Sequence, residues 1–334
     1  MSEISEGPVI SKVEQLKRKK AQEVGDMSVW QVRMRSFGRK ARRIVGSGAK
    51  RKKIITHQGR DPGKRQRIIF LSLLVVLFVF GTKVWGRDME WEIPEILLVA
   101  LLAGVGVYLG LIWALRFDLR ASGYLKVLPL PALFVFSSVL FVELFFFQIF
   151  ERLFETIIFG GLLIGYVVVL NIVFLTTNIL NVATVKELPL SRVAQTASYA
   201  ITVFTVYCIG FSIIVVGPQI FIMLPLLMGL YCVAVYLHLS NLNNMSTINA
   251  WTYSFLIGWL CAISLAVLLT WPLDPLLAAL MPAALAYIGV GIVMYDPGRD
   301  SGWRVILEYI AVISIVVGII LYKATWGIGG AVFQ

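Results

Sequence analysis

From residue 67 to the C-terminus, apolar and polar positions alternate on the scale of a bilayer. Nine apolar runs, at about 67–86, 94–115, 127–150, 154–182, 192–216, 219–240, 247–271, 275–295 and 304–323, are separated by short polar connections. Each run approaches the ~20 residues that a helix needs to cross a hydrocarbon core. Within such a core a single segment satisfies its backbone N–H and C=O groups only as a helix. The pattern therefore predicts an all-α polytopic transmembrane helix bundle of about nine spans. The eighth run is the weakest, because Pro282 interrupts it and Gly289 and Gly291 lower its helix propensity. The connections leave no room for a second folded domain between spans.

The first 66 residues follow a different pattern. They form a basic cytoplasmic arm that is expected to be partly disordered. Within it, Trp30, Met34, Phe37, Ala41 and Ile44 recur at helical spacing, while Arg33, Arg39, Lys40, Arg42 and Arg43 occupy most of the rest of the circumference. An amphipathic helix over residues 28–45 is the reading, weakened by Gly38 and ended by Gly46, Ser47 and Gly48. The chain then divides into the arm (1–66), a transmembrane domain (67–328) and a short external tail (329–334).

Composition agrees. Of 334 residues, 58% are apolar and 15% charged, with a mean hydropathy of +0.83; average soluble domains carry about 25% charged residues. An ordinary soluble enzyme, a disordered chain and a disulfide scaffold are excluded. The net charge of +11 sits entirely in the arm: residues 1–67 hold 19 Lys/Arg against 6 Asp/Glu, and the remainder holds 11 against 13. Anionic lipid headgroups at the cytoplasmic surface are the expected partner of this arm. Nucleic acid is the disfavoured one, because a phosphate-binding tail has no use for an apolar stripe.

Charge also orients the bundle, since short cytoplasmic loops carry the excess of Lys and Arg. The arm places the N-terminus inside. The connection after span 1 (Lys83 and Arg87 against Asp88, Glu90, Glu92 and Glu95) is acidic and outside; those after spans 2 (Arg116, Arg120, Lys126) and 4 (Lys186, Arg192) are basic and inside. Nine spans put the C-terminus outside, in a cytoplasmic (inner) membrane. Trp85, Trp91, Trp271, Trp303 and Trp326 at span ends fit headgroup-level anchoring.

Few residues offer chemistry. Glu143 lies within span 3, where a carboxylate must be paired, protonated or turned to a cavity. Asn171, Asn178 and Asn181 fall on one side of span 4 and suit interhelical hydrogen bonding, with a polar pathway as the alternative. Pro225 and Pro282 are candidate kinks in spans 6 and 8, and broken helices of this kind can mark transporter sites. Gly106 and Gly110, and Gly161 and Gly165, form GxxxG pairs suited to close helix packing. Arg304 and Glu308, four apart, predict a local ion pair. Cys208, Cys232 and Cys261 are expected to act as small apolar fillers. Two histidines, His57 and His238, give no metal-ligand spacing, and no HExxH, GxSxG or P-loop occurs. Neither a metal nor a cofactor is expected.

The segments Asn178-Ile-Leu-Asn-Val-Ala183 and Leu188-Pro-Leu-Ser-Arg192, with a final helix carrying Glu308-Tyr309 and ending at Trp326-Gly327, resemble an uncharacterised family of bacterial multipass membrane proteins, a domain of unknown function. The resemblance covers about residues 68–328. It implies a bacterial inner-membrane protein and brings no catalytic residue with it. The expected role is a non-enzymatic scaffold or subunit of a cell-envelope assembly. A small transporter or channel, and a lipid-modifying enzyme, are the alternatives. Convergence of Glu143 and the span-4 asparagines on one cavity would favour transport.

Overall fold

The computed structural model describes residues 62–86, 92–115, 121–149, 152–183, 190–216, 220–242, 245–271, 273–295 and 302–324. The amphipathic segment at 28–45, with Trp30, Arg33, Arg39, Lys40, Arg42 and Arg43, lies outside these residues, as does the tail at 329–334.

Eleven helices account for nearly all of the described chain: α1 (Pro62–Gly86), α2 (Ile93–Leu115), α3 (Ala121–Lys126), α4 (Pro129–Ile149), α5 (Arg152–Ala183), α6 (Ser191–Val216), α7 (Ile220–Leu239), α8 (Thr247–Leu268), α9 (Pro275–Ala278), α10 (Leu280–Met294) and α11 (Gly302–Lys323). The protein is an all-α polytopic bundle. Among the described residues, eight helical stretches are long and apolar enough to cross a membrane. The sixth predicted span corresponds to α7, whose apolar part, Leu224–Leu239, is shorter than the rest. The eighth, weakest by composition, counts among the eight over Pro275–Met294.

Long helices alternate in direction, which gives the bundle two faces. On the first face, where α1 begins, Tyr108 of α2 donates to the Tyr124 carbonyl (3.3 Å) and Asn241, after α7, donates to the Lys126 carbonyl (3.0 Å). On the second face, Thr82 near the end of α1 meets Glu143 of α4, and Leu268, Leu273, Ala278 and Ile320 cluster around the turn between α8 and α9.

Two apolar cores share α6. One gathers α1, α2, α4 and α5; the other gathers α7, α8 and α10. The centre of α6 is rich in hydroxyls that would be costly in hydrocarbon if left alone. Thr202, Thr205 and Ser212 each donate to the carbonyl four residues earlier, at 2.9, 2.8 and 2.7 Å, so a polar sequence is packed without loss. Close backbone approach is concentrated between α7 and α8. A Cβ on Gly258 would lie 2.8 Å from the Cys232 nitrogen and 3.1 Å from its Cα.

Pro282 explains the break between α9 and α10. Its ring opposes the carbonyl four residues back, at Ala278, and it has no N–H to offer. The helix ends at that residue and restarts after Ala279. Pro225 lies inside α7, which continues through it.

α11 is the outlier. Only 6% of its membrane-length window is buried, and of its residues Ile320 alone is fully so. Elsewhere the buried share of a span runs from 28% to 67%.

Candidate functional site

Polar side chains gather at three separate places, at different heights in the bundle.

The first is Glu143. It is 3% exposed and lies six residues before the end of α4, about 9 Å from the second face along the axis. The Thr82 hydroxyl is shared between the Val79 carbonyl (2.8 Å) and Glu143 Oε1 (3.4 Å). The carboxylate is thus enclosed near one face and not held at the midplane.

The second is the wall of a cavity of about 370 Å³ between α1, α4 and α5. α4 forms its back through Phe134, Ser138, Phe141, Val142 and Phe145; α5 forms one side through Leu162, Gly165, Tyr166 and Val169; Val79 of α1 forms the other. Two hydroxyls lie in this lining, and they satisfy each other. Ser138 Oγ is 3.2 Å from the Val135 carbonyl and 2.8 Å from the Tyr166 hydroxyl. A serine hydroxyl has one hydrogen. With it directed to Val135, Tyr166 donates to Ser138, and neither hydrogen is turned to the cavity.

The third lies near the first face, where α6, α7, α10 and α11 meet. The His238 side chain is 1% exposed, with Nδ1 2.9 Å from Ser198 Oγ and Nε2 3.2 Å from Met294 Sδ. A thioether only accepts, so the arrangement suits the tautomer with its hydrogen on Nε2 and Ser198 donating to Nδ1. Beside it, the Tyr199 and Tyr287 rings stack at 5.3 Å, and Tyr287 meets Tyr309 edge-on at 5.9 Å. The Tyr199 hydroxyl donates to the Tyr287 carbonyl, and the Tyr287 hydroxyl to Glu308 Oε1. Glu308 therefore pairs with a tyrosine of the neighbouring helix and not, as its spacing suggested, with Arg304. The histidine and tyrosine sets adjoin through the consecutive residues Ser198 and Tyr199, and the Tyr199 and His238 ring centroids are 6.0 Å apart.

The asparagines of α5 do not form one set. Asn171 is spent on its own helix, donating to the Val167 carbonyl at 2.9 Å. Asn181 is 2% exposed, and the Asn178 carbonyl oxygen is buried without a hydrogen-bond partner. Asn178 and Asn181 lie within the last six residues of α5, at the first face, whereas Glu143 lies near the second. The four residues do not converge.

Of the glycine pairs, Gly110 is a packing position, since a Cβ placed on it would lie 2.4 Å from Leu71 Cδ1 of α1; the other three are not. Gly104, not Gly106, packs against α4: a Cβ placed on it would lie 3.1 Å from Phe136 Cβ, whereas Gly106, Gly161 and Gly165 have nothing within 4 Å of such an atom. The pair in α5 is therefore not a helix contact, and Gly165 opens onto the cavity. All three cysteines are buried and free. Among the described residues no group of three or more His, Cys, Asp or Glu could hold a metal ion. Sequence reasoning missed the His238 and Tyr287 sets. Their partners lie 40, 56 and 21 residues away, and no local spacing signals them.

No curated protein and no solved structure matches the chain. A family described as protein of unknown function (DUF5656) matches residues 71–323, from the first turns of α1 to the end of α11. That match takes in every helix described above, and the resemblance noted in the sequence holds: the chain belongs to the DUF5656 family of proteins of unknown function.

Proposed function

We propose that this multipass membrane protein is a non-enzymatic subunit or scaffold of a cell-envelope assembly, and that α11 is the helix it offers to a partner. The observation that carries the reading is how little of α11 the bundle buries. Its outward side combines large apolar residues with Ala311, Ser314 and Gly318, all exposed and three and four residues apart, and Gly318 has open space before it. Lipid supplies no hydrophobic force between helices, so association in a bilayer rests on close packing, which small residues permit. The separation of Glu143 from the α5 asparagines removes the motive for a polar pathway through the centre.

In this reading the first face is cytoplasmic, the membrane is the inner membrane, and the basic arm rests on anionic headgroups. The test replaces Ala311, Ser314 and Gly318 together by Leu. The variant keeps membrane insertion, and the wild-type chain, extracted in mild detergent, migrates as a complex larger than itself that the variant no longer forms. Wild-type migration at the mass of the chain alone would overturn the proposal. A Glu143-dependent proton or cation flux in reconstituted vesicles would replace it with the transporter reading.

A further inference from the structure

We infer that the cavity between α1, α4 and α5 is a binding site for one hydrocarbon chain of a membrane lipid. Three features of the site lead there, independently of any role for α11. First, its lining is almost wholly hydrocarbon, because the hydroxyls of Ser138 and Tyr166 are occupied with each other and with the Val135 carbonyl. A space that presents no hydrogen-bonding group stays dry and takes apolar guests. Second, the cavity is open and reaches the shared helix of the bundle: Leu162 and Val169 in its lining are exposed. Phe204 of α6 lines it and is 45% exposed, while Phe134 beside it is 2% exposed, their rings 5.8 Å apart. In a membrane, what lies against these exposed residues is the bilayer's own acyl or isoprenoid chains. Third, the wall carries a glycine where nearly any side chain would fill the space: a Cβ on Gly165 meets nothing within 4 Å.

Size and polarity define the guest. At about 30 Å³ per small group in a condensed phase, 370 Å³ has room for a single chain of roughly a dozen carbons. Polarity gives the direction. The lining of α4 runs from Phe134 to Phe145, and toward its second-face end lie Glu143, between Val142 and Phe145, and Thr82, three residues after Val79 on α1. The lipid therefore places its headgroup at the second face and its chain inward toward Phe204. Transfer of a chain from bilayer to cavity changes little apolar hydration, so retention rests on the fit of the chain against aromatic rings. Selection is by chain shape.

The test uses the full chain reconstituted in phosphatidylglycerol and phosphatidylethanolamine vesicles that contain a lipid with a diazirine midway along one acyl chain. After photolysis, peptide mass spectrometry locates the adducts. Label on Phe204 and Tyr166, lost in Gly165→Leu and kept in Gly161→Leu, is the expected result. Gly161 is exposed and serves as the control for lipids that merely surround the bundle. Label confined to outward residues such as Leu98, Leu109 and Ile164 in the wild-type protein would overturn the assignment, whether or not the Gly165 variant folds. So would a Phe204 adduct that a monodisperse Gly165→Leu protein retains unchanged.

Discussion

The contact between α7 and α8 makes Gly258 the position where a single methyl group should cost most. In Gly258→Ala the new Cβ would lie 2.5 Å from Cys232 Sγ, 2.8 Å from the Cys232 nitrogen and 3.1 Å from its Cα. The sulfur can turn away, but the backbone of α7 cannot, and α7 must move back. Overpacking of this kind costs typically about 1–3 kcal/mol. Alanine in a helix interior recovers about 1 kcal/mol relative to glycine, so the net loss is about 0–2 kcal/mol. Gly106→Ala provides the reference, because nothing lies within 4 Å of its new methyl; there only the propensity gain remains, and the two variants should differ by the overpacking cost, about 1–3 kcal/mol. The assay is thermal unfolding of the purified proteins in one detergent, with gel filtration reporting monodispersity. The double variant Cys232→Ala/Gly258→Ala removes the sulfur but leaves the backbone nitrogen, so it should recover only part of the loss. A Gly258→Ala protein as stable as Gly106→Ala would mean that α7 and α8 do not approach this closely.

His238→Leu leaves Ser198 and Met294 without their ring partner in a buried place, and loss of about 1–3 kcal/mol is expected in the same unfolding assay; a neutral result would contradict the bonding assigned to the ring. If α7 crosses along with the eight longer apolar stretches, the proposed topology of nine crossings from a cytoplasmic arm puts the C-terminus outside, so a C-terminal reporter active only in the cytoplasm should be silent and one active only outside should report; the reverse would mean that one crossing is missing, with the short α7 the first suspect. A peptide spanning residues 26–54 should become helical with anionic vesicles and remain a coil with neutral vesicles, by circular dichroism, because each basic residue near an anionic surface contributes about 1 kcal/mol; a coil with both would refute the lipid-surface role of Trp30 and its neighbours.

The bundle was legible because the bilayer imposes a length and a composition on every span. Even the weak eighth run was correctly seen as interrupted, and its glycines prove to be packing positions: a side chain at Gly289 would strike Ile257, and one at Gly291 would strike Tyr309. What the pattern could not supply was the partner of each face. Spacing paired Gly106 with Gly110, yet only Gly110 meets a neighbouring helix, at Leu71 of α1, while Gly104, which that spacing does not mark, meets α4. Glu308 had a basic residue four positions away, yet its carboxylate goes to Tyr287 on the next helix. Glu143 and the α5 asparagines were grouped by chemistry, whereas the opposite directions of α4 and α5 carry them to different faces. The cavity had no sequence signature at all, since its lining is the same apolar set as the rest of the spans and the one informative residue, Gly165, reads as a packing glycine.

The measurement that bears most directly on the proposed role of α11 is site-specific photocrosslinking in native membranes. A photoreactive residue at Ser314 should give a discrete adduct with one membrane protein, and the same residue at Gly161, exposed on α5, should give none. No protein adduct at Ser314, or the same adducts at both positions, would contradict the reading of α11 as the helix through which this protein joins an assembly.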